Sequence, residues 1–165
     1  MKRHAFAYLA LAAVVALFGG CSSFDARWKT AGRDARATRW EGRWTSEKHH
    51  AMNGDPMGGR LRCILEPQDA DRLAAHFRAN WLLFASDYSM TLNPARSGPV
   101  ARRGGMRDYR GTHELPAMFG GVYQYTARIG GDRFVAHYSS SYDHGNFTLQ
   151  RERLSKDCFP PHARD

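Results

Sequence analysis

Ser139, Ser140 and Ser141, followed at once by Asp143 and His144, bring the three side-chain types of a hydrolytic triad into one short stretch. That chemistry needs a serine on a rigid elbow and an imidazole oriented across space. No Gly-x-Ser-x-Gly elbow occurs anywhere in the chain. The same residues read more simply as a strand end running into a turn, with Asp143 bonding local backbone and Gly145 at positive φ. Eight histidines raise metal binding next, above all His49-His50 with His76, His137 or His144 as a third ligand. Adjacent histidines point to opposite faces of a strand, and no Asp, Glu or Cys spacing around them matches a zinc pattern. Surface histidines, and no metal, are therefore expected. The glycine pairs lack the lysine and following helix of a phosphate-cradling loop.

Of three cysteines, Cys21 closes an N-terminal leader. Lys2, Arg3 and His4 make a basic start, Ala5 to Phe18 form an apolar run too short to span a bilayer, and Leu17-Phe18-Gly19-Gly20-Cys21 places small residues before the thiol. This resembles the lipobox of bacterial lipoproteins, with Phe18 departing from its usual small or aliphatic residue. The resemblance implies removal of residues 1–20, acylation of Cys21 and a membrane anchor. Ser22 is not the aspartate that marks inner-membrane retention, so the expected address is the periplasmic face of an outer membrane. Cys63 and Cys158 remain as an even pair in an oxidising compartment, open to a disulfide. Cys63 also shares parity with Leu61 and Leu65, which fits a free thiol in a core equally well.

Residues 1–20 hold two of the 24 Lys and Arg and none of the 16 acids, so the remaining chain has a formal charge of +6. For an exported, anchored protein this fits anionic head groups and wall polymers, not nucleic acid. No cofactor is implied. About 145 residues are enough for one core without staples.

The elements follow from alternation. Residues 21–38 are charged with few apolar positions and read as the lipidated cysteine and a tether; residues 39–154 read as one domain and 155–165 as a tail. Tyr123, Tyr125, Ala127 and Ile129 alternate with polar residues, and Phe134, Ala136 and Tyr138 follow across Gly130-Gly131, predicting a hairpin. Residues 70–85 fit both a strand and a helical period, and two strands are preferred over one helix. Pro94 to Arg107 reads as a long, basic, exposed loop. Eight strands are expected, near 39–46, 59–66, 71–80, 83–92, 107–114, 121–129, 133–141 and 145–152. This predicts an all-β, antiparallel up-and-down barrel.

Gly42-Arg43-Trp44 on the first strand, with Arg151 after the last, resembles the lipocalin and fatty-acid-binding superfamily. The resemblance implies an arginine stacked on Trp44, from Arg151 or equally Arg153, closing the barrel. The runs Trp40-x-Gly42-x-Trp44, Gly59 to Cys63, Gly120 to Tyr125 and Tyr142 to Arg151 are similar to small bacterial envelope proteins, a likeness of fold that transfers no active site. The expected function is an envelope binding module for a small hydrophobic or amphipathic ligand lined by Tyr88, Tyr123, Tyr125 and Tyr138. A filled barrel contacting envelope proteins or cell wall is the first alternative, and a hydrolase or metal enzyme the second.

Overall fold

The computed structural model describes residues 21–49, 54–81, 84–95, 105–117 and 120–153. The leader, His50, Cys158, the tail and most of the basic Pro94–Arg107 loop lie outside the described residues.

A helix α1 (Cys21–Ala31) precedes eight strands: β1 (Thr38–His49), β2 (Pro56–Pro67), β3 (Leu73–Trp81), β4 (Phe84–Pro94), β5 (Arg107–Glu114), β6 (Val122–Gly130), β7 (Arg133–Ser139) and β8 (His144–Arg151). They close into one antiparallel barrel in chain order, with β1 pairing β8 from Trp40↔Arg151 to Ser46↔Gly145. The all-β expectation holds, and the closed architecture is consistent with a lipocalin-like fold. Closure pairs every strand on both sides, most briefly between β4 and β5.

Alternation decides which face each residue takes. Along β6 and β8 inward and outward positions exchange at every step, setting Tyr123, Tyr125, Ala127 and Ile129 against exposed Gln124, Thr126 and Arg128. The ambiguous stretch resolves as β3 and β4, paired from Leu73↔Leu92 to Trp81↔Phe84 across a two-residue connection. A strand period buries Ala75 and Phe77 while His76 and Arg78 leave the barrel. Leu61, Cys63, Phe77, Leu92, Phe134 and Leu149 form a solid floor, each less than 2% exposed.

The segment expected as a tether is instead a docked helix. Phe24, Trp28 and Ala31 fall at i, i+4 and i+7 and make one stripe, which covers Ile64, an apolar side chain that β2 turns outward. Around that patch runs an ionic clamp. Asp25 accepts from Arg62 Nη2 at 3.2 Å and Arg78 Nη1 at 2.7 Å, while Arg78 also grips Asp87 at 2.7 and 2.9 Å. The Arg62 and Arg78 guanidinium carbons stand 5.4 and 5.0 Å from the Phe24 ring centroid, within cation–π range. Beside the clamp a recess of about 250 Å³ opens between Ser23, Phe24 and Arg27 of the helix and His76, Asp87 and Ser89 of the wall.

Acid should loosen α1 in two stages. His76 Nε2 lies 2.7 Å from Arg27 Nη1 and its Nδ1 lies 2.7 Å from the Ser89 hydroxyl; burial first, then the Arg27 charge, holds the imidazole below its ordinary 6.5, against the opposing pull of Glu66. The unfolded chain takes that proton more readily, so this part of the stability is present above 6.5 and lost as pH falls below it. Asp25 is held below its ordinary 3.8 first by the Arg78 hydrogen bond, so its contribution is present above 3.8 and lost as pH falls through the depressed value. Amide-exchange protection factors for residues 24–31 should drop between about pH 7.5 and 5.5 and again as pH falls below 3.8. Equal protection at all three would refute the pH coupling.

Candidate functional site

One end of the barrel, where β1 finishes and β7 turns into β8, gathers the four tyrosines named from sequence. Tyr123 and Tyr125 from β6, Tyr138 from β7 and Phe147 from β8 face inward as neighbours. Ring centroids are 6.0 Å apart for Tyr123–Tyr138, 6.3 Å for Tyr125–Tyr138 and 5.2 Å for Tyr138–Phe147. Tyr88 joins them from β4, stacked at 5.0 Å on Phe77, which itself lies 5.8 Å from Phe147. The rings rest on the solid floor.

Two glycines let aromatic side chains cross a neighbouring strand here. Trp44 stands opposite Gly59, and its indole N–H donates over that residue to the Asn80 carbonyl at 3.2 Å. A Cβ on Gly59 would enter the Asn80 carbonyl and crowd the indole nitrogen. Tyr138 stands opposite Gly145 and crosses it, donating to the Thr45 carbonyl at 3.3 Å and lying 3.2 Å from Asp143 Oδ2. A Cβ on Gly145 would collide with that same carbonyl and with the Tyr138 hydroxyl. Buried Ser46 completes the rim by donating to Asp143 Oδ1 at 2.6 Å.

The wall is interrupted next to this cluster. β4 and β5 share only Asn93↔Arg110 and Pro94↔Tyr109, although both strands run on past those pairs. Beyond Gly111 the His113 imidazole bonds the Ser89 backbone and lies 5.2 Å from the Tyr88 ring. A side chain thus takes the place of ladder bonds along this stretch, leaving a seam between the two strands.

Burial pushes all four phenols up, with Asp143 adding to the effect at Tyr138, so each keeps its proton and is a hydrogen-bond donor at neutral pH. Burial likewise pushes His113 down, favouring neutral imidazole. The Tyr88 and Tyr125 hydroxyls make no hydrogen bond among the described residues, while the Tyr123 hydroxyl engages Ser140. The site offers flat apolar walls, two available phenolic donors and a carboxylate rim. Such a set of groups can hold a small amphipathic molecule, and none of those described at this end is an activated nucleophile.

Several expectations change. Arg151 is exposed and paired with Trp40, four positions from the Phe147 that faces Trp44, and exposed Arg153 sits 3.5 Å from Asp132. Neither arginine stands opposite Trp44, because the register carries the end of β8 past it. Cys63 is a free, fully buried thiol among core side chains, its pKa raised by desolvation; the core reading suits it, and its proposed partner Cys158 falls outside the described residues. Gly145 lies extended in β8, not at positive φ; the turn is Ser140–Asp143, where the Ser140 hydroxyl accepts from the Tyr142 and Asp143 amides. His144 points to Glu47 at 2.7 Å, away from the serines, so no triad assembles. Among the described residues no three His, Cys, Asp or Glu side chains gather as a metal site. Ser46, Gly59 and His113 are site residues that sequence reasoning does not single out, and Gly145 is one it takes for a turn glycine; the signal for the glycines is their inward parity beside Leu61 and Phe147. Comparison with known proteins gave no match to any family model, curated protein or solved structure.

Proposed function

We propose that this chain is a lipid-anchored binding module of the bacterial envelope that holds a small hydrophobic or amphipathic ligand at the aromatic end of its barrel. The observation that carries the reading is the interrupted β4–β5 ladder beside half-buried Tyr88 and buried Tyr125, two inward rings whose protonated hydroxyls have no partner among the described residues. A ligand acceptor arriving beside them would give these donors a partner. The solid floor limits the ligand to the upper half of the barrel. The leader and Cys21 support the anchor, and Ser22 supports the periplasmic face of the outer membrane.

Native mass spectrometry of the processed chain extracted from the envelope tests this. A discrete mass beyond the acyl groups is expected. In the Tyr88→Phe, Tyr125→Phe double variant its occupancy should fall by about fivefold to tenfold per lost hydrogen bond, while stability stays within about 0.5 kcal/mol because the rings remain. A bare mass in the unsubstituted protein would sink the ligand reading. It would leave the alternative favoured by the filled floor, a scaffold that works through its outer surface.

A further inference from the structure

The solvent side of α1 and the turn after it carry Arg27, Lys29, Arg33 and Arg36, all exposed, against one exposed carboxylate, Asp34. Asp25, the other acid of the segment, is committed to Arg62 and Arg78. Neighbouring carboxylates are engaged as well: Asp69 by Arg72, Glu41 by Arg60, Asp87 by Arg78, Glu152 by Arg39, and Glu66 faces His76. None of the four cations has an ion-pair partner among the described residues. Arg27 spends one N–H on His76, whose depressed pKa favours the neutral form, and keeps its charge.

We infer that this basic side of α1 seats the protein on the head groups of an anionic phospholipid surface. The inference rests on the proposed anchor and adds to it an orientation. α1 begins at Cys21 itself and is clamped to the barrel, so no flexible spacer separates acyl chains from cations. At about 1.5 Å of rise per residue, Arg27 lies roughly 9 Å along the helix from Cys21, about one Debye length at physiological salt. Cations held that close to an anionic leaflet are attracted individually and additively. The β2–β3 wall under α1 then faces the membrane and the β6–β8 wall faces away.

The processed, acylated chain is reconstituted into nanodiscs of phosphatidylcholine alone or mixed with phosphatidylglycerol, pulsed with an amine-acylating reagent and read by peptide mass spectrometry. Lys29 on α1 reports the membrane side, and Lys48 near the aromatic end is the internal reference. The Lys29/Lys48 labelling ratio should be about tenfold lower on anionic discs than on neutral ones and recover in molar salt. An Arg27→Gln, Arg33→Gln, Arg36→Gln variant should show no such difference. Equal ratios on both lipids overturn the inference. The same spectra show whether Cys21 carries acyl chains. If it does not, the anchor reading fails, and the unacylated chain mixed with vesicles of the two compositions tests the basic side separately: a lower ratio on the anionic vesicles upholds it, and equal ratios overturn it.

Discussion

Phe77→Ala should lower unfolding stability by about 3–5 kcal/mol, the range for deleting a fully buried aromatic ring. Phe77 is 1% exposed and joins the two halves of the interior, stacking on Tyr88 and meeting Phe134 and Phe147 at 6.2 and 5.8 Å. Collapse around the loss is limited, because these rings hang from three different strands, β4 laddered to β3 and β7 laddered to β8. The void would stay, lined by apolar atoms, and such voids remain dry and accept small apolar guests. Urea unfolding monitored by tryptophan fluorescence gives the cost. A loss under about 1 kcal/mol would mean that the floor relaxes freely and is not the rigid base on which the aromatic end depends.

Most of the barrel is legible because one face of each strand must fill it. Tyr123 to Ile129 and Phe134 to Tyr138 declare their parity in sequence, and inward packing then fixes both their spans and their pairing, since a one-residue slip would turn every ring outward. The tyrosine cluster is legible for the same reason: Tyr88, Tyr123, Tyr125 and Tyr138, with Tyr109 in the same core, all turn into one narrow barrel. What sequence hides are relations across strands. The crossing of Gly59 by Trp44 and of Gly145 by Tyr138 depends on register, which parity alone does not set. The part-open β4–β5 seam depends on where two strands diverge, and nothing in Ser89 or His113 announces that. The docked helix escapes a reading of sequence because only Phe24, Trp28 and Ala31 carry its stripe. Its complement is nonetheless visible in Cys63-Ile64-Leu65, an apolar run that breaks alternation and so requires cover on the outer face of β2. That Arg151 pairs with Trp40 is likewise a matter of register.

Arg78→Ala should release α1 while leaving the barrel closed. Arg78 is 5% exposed and holds two carboxylates, Asp25 on the helix and Asp87 on β4, so its loss leaves two acids facing each other over the Phe24 ring. Removing one partner of a fully buried pair costs about 3–5 kcal/mol; because the Asp25 and Asp87 side chains are 48% and 24% exposed, water recovers part of that, and about 2–3 kcal/mol is expected. The loss should appear first as rapid tryptic cleavage at Arg27 and Lys29, with β1 to β8 retaining amide protection. Arg78→Lys keeps the charge but not the planar fork that grips Asp87 twice, so it should fall between the two. Asp25→Ala should be destabilising alone and less so once Arg78 is gone, because the two share one contact and Asp25 keeps only Arg62 in its absence. Unchanged cleavage in Arg78→Ala would show that the apolar stripe on Ile64 holds the helix unaided. The geometry argues against that, since the stripe is short, and a helix of eleven residues is marginal without tertiary support.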